Sequence, residues 1–72
     1  MIRADLLNGE IARAGLSRAS LARRIGMTPK TFYLKEKKGK FRIDEIEKIV
    51  KECNIEKPVP IFFPDFVSSD ET

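Results

Sequence analysis

The 72 residues of this chain suffice for one small domain with a single core, which a hydrophobic content of 42% can fill. No stretch approaches the roughly 18 apolar residues of a membrane span, and the first five residues lack the layout of a signal peptide. The single cysteine, Cys53, has no partner for an internal disulfide, which either indicates a reducing cytosol or carries no information. Since the chain also has no histidine, it lacks the ligands of a zinc site. We expect a cytoplasmic protein with no membrane contact, no metal and no cofactor.

Charge is distributed unevenly along the chain, although the net charge is only +3. Residues 1–42 carry eleven Lys and Arg against three acidic residues, whereas residues 43–72 carry three Lys against eight acidic residues. A domain this small should therefore present one positive face and one negative region. A positive face attracts phosphate backbones or acidic proteins, but a lopsided solvated surface explains the charge alone equally well.

Helical periodicity predicts a first helix over residues 3–14. Gly15 follows its last apolar residue and suits the left-handed position after a helix, with Leu16 folding back onto it. The predicted inner face of this helix comprises Ile2, Leu6, Leu7, Ile11 and Ala14.

Two short helices are predicted next, with a glycine between them. Ser17 is a suitable N-cap for the second helix, which Gly26 ends. Thr28 caps a third helix over residues 29–36, whose clearest core residue is Phe32. Residues 37–40 then form a basic loop. The second helix turns Leu21, Ala22 and Ile25 inward, and Arg18, Arg23 and Arg24 outward.

A fourth helix over residues 43–53 has the clearest amphipathic pattern, with Ile46, Ile49, Val50 and Cys53 on its inner face. Its start is unusual, because Arg42 occupies the position where a Ser or Thr cap is expected, and Asn54 can end it in a left-handed conformation. Three prolines interrupt the remainder. Residues 59–63 form either one helical turn or an extended strand, and residues 64–72 are expected to be an acidic, flexible tail.

The second and third helices are joined by Gly26, Met27 and Thr28 alone, so they must cross at a steep angle. Ala22 is small at the point where they approach. The first turn of the third helix is then left projecting with polar and basic side chains, and such a helix fits a major groove about 12 Å wide.

The run from Gly15 to Tyr33, GLSRASLARRIGMTPKTFY, resembles the helix-turn-helix family of phage Cro and repressor proteins, often called the XRE family. In that pattern Leu-Ser begins the second helix, Leu-Ala lies inside it, Gly opens the turn, and a Ser or Thr caps the recognition helix. The resemblance extends over roughly residues 3 to 63. It implies a compact all-α, lambda-repressor-like domain of four to five helices over residues 1–63.

The resemblance implies a small phage-type transcriptional regulator in a bacterial cytoplasm, which binds operator DNA through a recognition helix over residues 28–36. Lys30 and Thr31 would face base edges, whereas Ser17 and Arg18 would grip phosphate. The positions carried over as DNA-binding are Ser17, Arg18, Thr28, Lys30, Thr31, Tyr33, Lys37, Lys38 and Lys40. Among them, Thr28 can serve only as a cap, Thr31 can bond back to a carbonyl, and Tyr33 can lie at the core edge.

Three departures from the family pattern are visible. Lys35 stands where an apolar residue usually closes the recognition helix, so either Leu34 takes that role or the helix ends early. Ser20 replaces the usual Glu or Gln, which should remove the reciprocal capping box. The basic run at residues 37–40 replaces the family's common endings.

An alternative function is that of an antirepressor, which binds a phage repressor protein and blocks its DNA binding. Phe62 and Phe63 form either a lid on the core or a contact for a partner, as a homodimer or as a heteromer with such a repressor. Catalysis has no support, because the chain has no histidine base, no nucleophile elbow and no phosphate-binding glycine loop. We expect no enzyme and no small-molecule substrate.

Overall fold

The computed structural model describes residues 2–67, apart from the side chain of Val67. These residues form an all-α fold, as predicted, with one helix more than the four or five expected. The helices are α1 (Ala4–Arg13), α2 (Arg18–Arg24), α3 (Pro29–Lys38), α4 (Ile43–Cys53), α5 (Val59–Phe62) and α6 (Pro64–Val67).

The ends of α1 and α2 follow from the residues that flank them. Gly15 and Gly26 have φ values of 78° and 82°, which a side chain with a Cβ rarely adopts. Ser17 caps α2 by accepting a hydrogen bond from the N–H of Ser20 at 3.1 Å. The expected loss of the capping box is wrong, because the Ser20 hydroxyl itself accepts from the N–H of Ser17 at 2.9 Å. A short hydroxyl side chain therefore replaces the longer Glu or Gln.

Helix α3 is longer than predicted, because it continues to Lys38 and ends at Gly39 with φ of 68°. Lys37 and Lys38 therefore lie on the last helical turn and not in a loop. Helix α4 has the predicted bounds. Its unusual start is explained by Glu45, whose Oε1 accepts from the N–H of Arg42 at 2.8 Å. This bond gives the backbone N–H of Arg42 the hydrogen-bond acceptor that it would have at an ordinarily capped helix start.

The core lies where the helices α1 to α5 meet, and most of it follows the predicted faces. Leu6 is an exception, since it is 38% exposed. Ile55 and Phe41 also pack in the core region, which the sequence does not predict. The centroids of the Phe41 and Phe32 rings are 5.3 Å apart. The buried hydrophobic residues are Ile2, Leu7, Ile11, Leu21, Ala22, Ile25, Phe32, Ile49, Cys53, Ile55, Ile61 and Phe62.

The segment after α4 is helical, which decides between the turn and the strand left open by the sequence. The N–H of Arg3 donates to the carbonyl of Ile61 at 2.8 Å and ties the start of the chain to α5. Residues 64–67, at the start of the expected tail over residues 64–72, form the short helix α6. Residues 68–72 of that tail lie outside the described residues. Among the described residues, no helix has the length and apolar character to span a membrane.

Candidate nucleic-acid interface

Helices α2 and α3 form a helix-turn-helix in which α3 is held by its inner face. The N–H of Met27 donates to the carbonyl of Ala22 at 2.9 Å, which closes the end of α2 and reverses the chain. Ala22 is fully buried and allows the two helices to approach. Thr28 then caps α3 by accepting from the N–H of Thr31 at 3.2 Å, as predicted. The outer face of α3 is consequently left at the surface.

The outer face of α3 is basic and has one apolar residue at its centre. Lys30 and Leu34 are four residues apart, so they lie one above the other on the same side of the helix. Leu34 is 48% exposed, and Lys30 and Lys38 are exposed beside it. The exposed residues of this helix are Lys30, Thr31, Tyr33, Leu34, Lys37 and Lys38.

Ion pairs separate the basic side chains of residues 1–42 into two groups. Six of them pair with a carboxylate, namely Arg3, Arg13, Arg18, Arg24, Lys35 and Arg42. Within the described part of the chain, the others have no acidic partner, and they are Arg23, Lys30, Lys37, Lys38 and Lys40. Four of these five belong to α3 or follow it directly. The uncompensated positive charge is therefore concentrated around one helix.

The acidic second half of the chain neutralises part of the basic first half. Glu52 pairs with Arg24 at 3.4 Å, and Glu45 pairs with Lys35 at 2.6 Å. These ion pairs inside the fold therefore weaken the predicted division of the surface into one positive face and one negative region. The pairs leave the lysines of the α3 outer face unaffected.

Arg18 is held against α3 by two contacts. Its Nη1 donates to Glu36 Oε1 at 3.0 Å, and its guanidinium lies 4.7 Å from the centre of the Tyr33 ring. The Glu36 side chain is only 5% exposed, and its second oxygen, Oε2, is buried without a described partner. Arg18 was predicted to grip phosphate, but in the structure its guanidinium compensates a buried carboxylate. Glu36 lies four residues after the buried Phe32 and on the same side of α3, but no periodicity within α3 indicates that its partner comes from α2.

The hydroxyl groups predicted to contact DNA take part in helix caps. Ser17 Oγ accepts from the N–H of Ser20, and the Thr28 hydroxyl accepts from the N–H of Thr31. The hydroxyls of Thr28 and Thr31 also bond to each other at 2.9 Å. These residues therefore position the ends of α2 and α3, and their side-chain oxygens have partners already.

Lys35, at the position where the family has an apolar residue, matches neither of the two expected alternatives. The helix does not end early, and Leu34 does not turn inward to replace an apolar residue. The half-buried Lys35 instead bonds to Glu45 on α4. Burial works against the charged form of Glu45, but the bonds from Lys35 and the Arg42 N–H outweigh it, so the pKa of Glu45 is lowered.

The two phenylalanines predicted to contact a partner have different positions. Phe62 is 4% exposed and packs against Phe41, so it is a core residue and not a partner contact. Phe63 is 43% exposed, and Phe66, which was not predicted, is 74% exposed. Cys53 is buried as expected, and burial raises the pKa of its thiol.

No protein-family model, no curated protein and no solved structure matches this chain. The resemblance to the XRE family therefore stays a prediction based on the residues from Gly15 to Tyr33. Within residues 2–67, no group of three His, Cys, Asp or Glu side chains is arranged to hold a metal ion.

Proposed function

We propose that this protein binds duplex DNA through α3 and regulates transcription. The observation that carries the proposal is the placement of Lys30, Lys37, Lys38 and Lys40, which have no acidic partner among the described residues and surround one exposed helix. Lysines without internal partners are free to neutralise phosphates and release counterions, which is the main source of affinity in DNA binding.

In this proposal the two ends of α3 have different roles. Lys30, near the start of the helix, reaches guanine O6 or N7 in the major groove. Leu34, one turn later, contacts a thymine methyl group, since its exposed side chain has no hydrogen-bonding group. Lys37, Lys38 and Lys40 follow the phosphate backbone, which positions the helix without reading sequence. Arg23 on α2 adds a further phosphate contact.

A matched pair of lysine variants tests the proposal. Lys38 and Lys57 are both exposed and have no described acidic partner, but only Lys38 is on α3. Binding of a fluorescent duplex of random sequence at low salt should weaken about 3- to 10-fold in Lys38→Ala, because one phosphate contact is lost. Lys57→Ala should bind as tightly as the wild type. Equal effects of the two substitutions, or no binding by the wild type, would contradict the proposal.

The antirepressor function is a second candidate, which the exposed Leu34 favours. An apolar residue inside a ring of lysines suits an acidic protein partner as well as a thymine methyl group. A gel shift with promoter DNA and a co-encoded repressor separates the two functions. If the protein alone shifts no DNA at low salt but prevents the repressor from shifting it, the antirepressor function is correct and the DNA-binding proposal is wrong.

A further inference from the structure

An open cleft of about 580 Å³ lies where α1, the start of α2 and the second half of α3 meet. Small-molecule sites in proteins commonly have volumes of roughly 300–1,000 Å³. Asn8 of α1, Arg18 of α2, and Glu36 and Lys37 of α3 belong to the walls. Of these four residues, the proposed DNA contacts use only Lys37. We call this space the α1–α3 cleft.

Two residues of the walls have a side-chain oxygen that is buried without a described hydrogen-bond partner. They are Asn8, through Oδ1, and Glu36, through Oε2. The Glu36 side chain is 5% exposed, and its other oxygen already accepts from Arg18 at 3.0 Å. A buried acceptor without a donor is unfavourable. The α1–α3 cleft therefore offers two acceptors, one of them part of a carboxylate, to a ligand that carries N–H donors.

The side chains around the α1–α3 cleft allow access to these oxygens. Since both oxygens are buried, a ligand donor reaches them only after a covering side chain moves. The walls include the exposed side chains of Tyr33 and Lys37. Exposed side chains change rotamer rapidly, without disturbing a packed core. Access therefore requires no movement of the helices themselves.

The charges of the walls decide which class of ligand fits. Arg18 and Lys37 are positive and Glu36 is negative, so positive charge is in excess. A ligand with only a positive group is repelled by this excess, and a ligand with only a negative group leaves both acceptors without donors. Lys37 has no acidic partner among the described residues. A ligand with both an ammonium group and a carboxylate suits all of these groups.

We infer that the α1–α3 cleft binds a zwitterionic α-amino acid with an apolar side chain. The ammonium group has three donors, so it can serve Glu36 Oε2 and Asn8 Oδ1 together. The carboxylate, bonded to the same carbon, pairs with Lys37, which directly follows Glu36 and has a long flexible side chain. Ile2 and Ala4 line the same cleft and supply apolar contacts for the side chain of the ligand.

The consequence for DNA rests on the proposed function, whereas the binding of the amino acid does not. In the proposed function Lys37 contacts a phosphate, and a bound carboxylate would occupy this lysine instead. A saturating amino acid should therefore weaken binding of the random-sequence duplex about 3- to 10-fold, because one phosphate contact is lost. Binding to the cleft is measured without DNA, so its failure and the failure of the proposed DNA binding are seen separately.

The test is an NMR titration of the full 72-residue chain, without DNA, with alanine, valine, leucine, isoleucine, methionine and phenylalanine in turn. At least one should bind with a Kd between about 0.1 and 10 mM, as expected for a ligand of about ten non-hydrogen atoms. Backbone amide shifts should change mainly at residues 4–8, 18 and 33–39. The matching acid without the ammonium group should bind at least about tenfold more weakly, because both acceptors then lack donors. The matching amine without the carboxylate should also bind more weakly.

Two lysine variants form a matched pair. Lys37 and Lys38 are adjacent and exposed on α3, but only Lys37 lines the cleft. Lys37→Ala should weaken binding of the amino acid about 2- to 5-fold, as for the loss of an exposed ion pair. Lys38→Ala should leave it unchanged. Asn8→Ala should weaken it as well, without lowering the thermal unfolding midpoint, since Ala favours a helix more than Asn does.

Several results would overturn the inference. One is the absence of saturable shift changes at about 50 mM of each amino acid. Others are equally tight binding of the acid or the amine, shift changes centred outside the cleft, and equal effects of the two lysine variants. A lower unfolding midpoint in Asn8→Ala with unchanged binding of the amino acid would also overturn it, because Asn8 would then serve the fold and not a ligand.

Discussion

The carboxylate of Glu36 on α3 accepts a hydrogen bond from Nη1 of Arg18, the first residue of α2, at 3.0 Å. The Glu36 side chain is 5% exposed, and this guanidinium is its one hydrogen-bonding partner among the described residues. The pair joins the start of α2 to the end of α3. It therefore holds α3 in its orientation relative to α2, and with it the direction in which the outer face of α3 points.

Removal of Arg18 should destabilise the fold through the carboxylate left behind. Arg18→Ala should lower the free energy of unfolding by about 1–3 kcal/mol, because a buried acceptor loses its partner. Replacing the carboxylate as well, in Arg18→Ala/Glu36→Met, should recover most of that loss. Urea denaturation measures both. Arg23→Ala is the control, since Arg23 has no described acidic partner and should change stability by less than about 0.5 kcal/mol. A double variant as unstable as the single one would contradict this role of the pair.

The pair of Lys35 and Glu45 should make stability depend on acid pH. A carboxyl whose pKa is lowered in the folded state adds stability that is present above its ordinary pKa of about 4.3 and is lost as the pH falls through the folded-state pKa. The pKa of Glu45 is lowered in this way. Glu45→Gln should therefore reduce the free energy of unfolding at pH 7 more than at pH 3. Glu47→Gln, on the exposed side of α4, should show no such difference. A Glu45→Gln effect of equal size at both pH values would refute the coupling.

The two neighbouring phenylalanines should respond differently to the same substitution. Phe62→Ser should cost about 3–5 kcal/mol, because a buried ring is removed from contact with Phe41 and a hydroxyl is left in its place. Phe63→Ser should cost less than about 1.5 kcal/mol, since its ring is already 43% exposed. Thermal unfolding by CD measures the difference. Similar losses for the two variants would mean that Phe63 also belongs to the core.

Lys30 and Lys38 should differ in their effect on sequence preference. Lys30→Ala should cost about 1–3 kcal/mol on preferred sites and flatten the preference among sites, because a base contact is lost. Lys38→Ala should weaken all sequences alike, since it contacts phosphate only. Selection of sites from a random duplex pool, followed by affinity measurements on matched and scrambled sites, separates the two. Equal losses of affinity in the two variants, independent of the DNA sequence, would mean that Lys30 does not contact bases.

Local signals in the sequence predict most of the helix-turn-helix. Ser17, Gly26 and Thr28 act through their own backbone and side-chain preferences, so the start of α2, the turn and the start of α3 follow from neighbouring residues. The last turn of α3 is not predicted, because the run of lysines at residues 37–40 is typical of a solvated loop. Gly39, in the left-handed conformation that ends a helix, was the local signal for the true end.

The remaining features depend on residues that are distant in the sequence. Glu36 and Lys35 lie four and three residues after Phe32 and so on its side of α3, but their partners, Arg18 and Glu45, come from other helices. No periodic pattern contains these pairings, since they depend on how the helices pack. The exposure of Leu34, in contrast, follows from helical periodicity, since Leu34 lies two residues after the buried Phe32 and so on the opposite side of α3.

The most direct measurement of DNA binding through α3 is the salt dependence of the affinity for duplex DNA. Each phosphate neutralised on B-DNA contributes about 0.9 to the slope of log K against log salt concentration. With Lys37, Lys38, Lys40 and Arg23 on phosphates, the slope between about 50 and 200 mM salt should be about −3 to −4 per bound copy. A slope of magnitude below about 2 would contradict the proposal, because it would mean that the unpaired lysines around α3 do not meet a phosphate backbone.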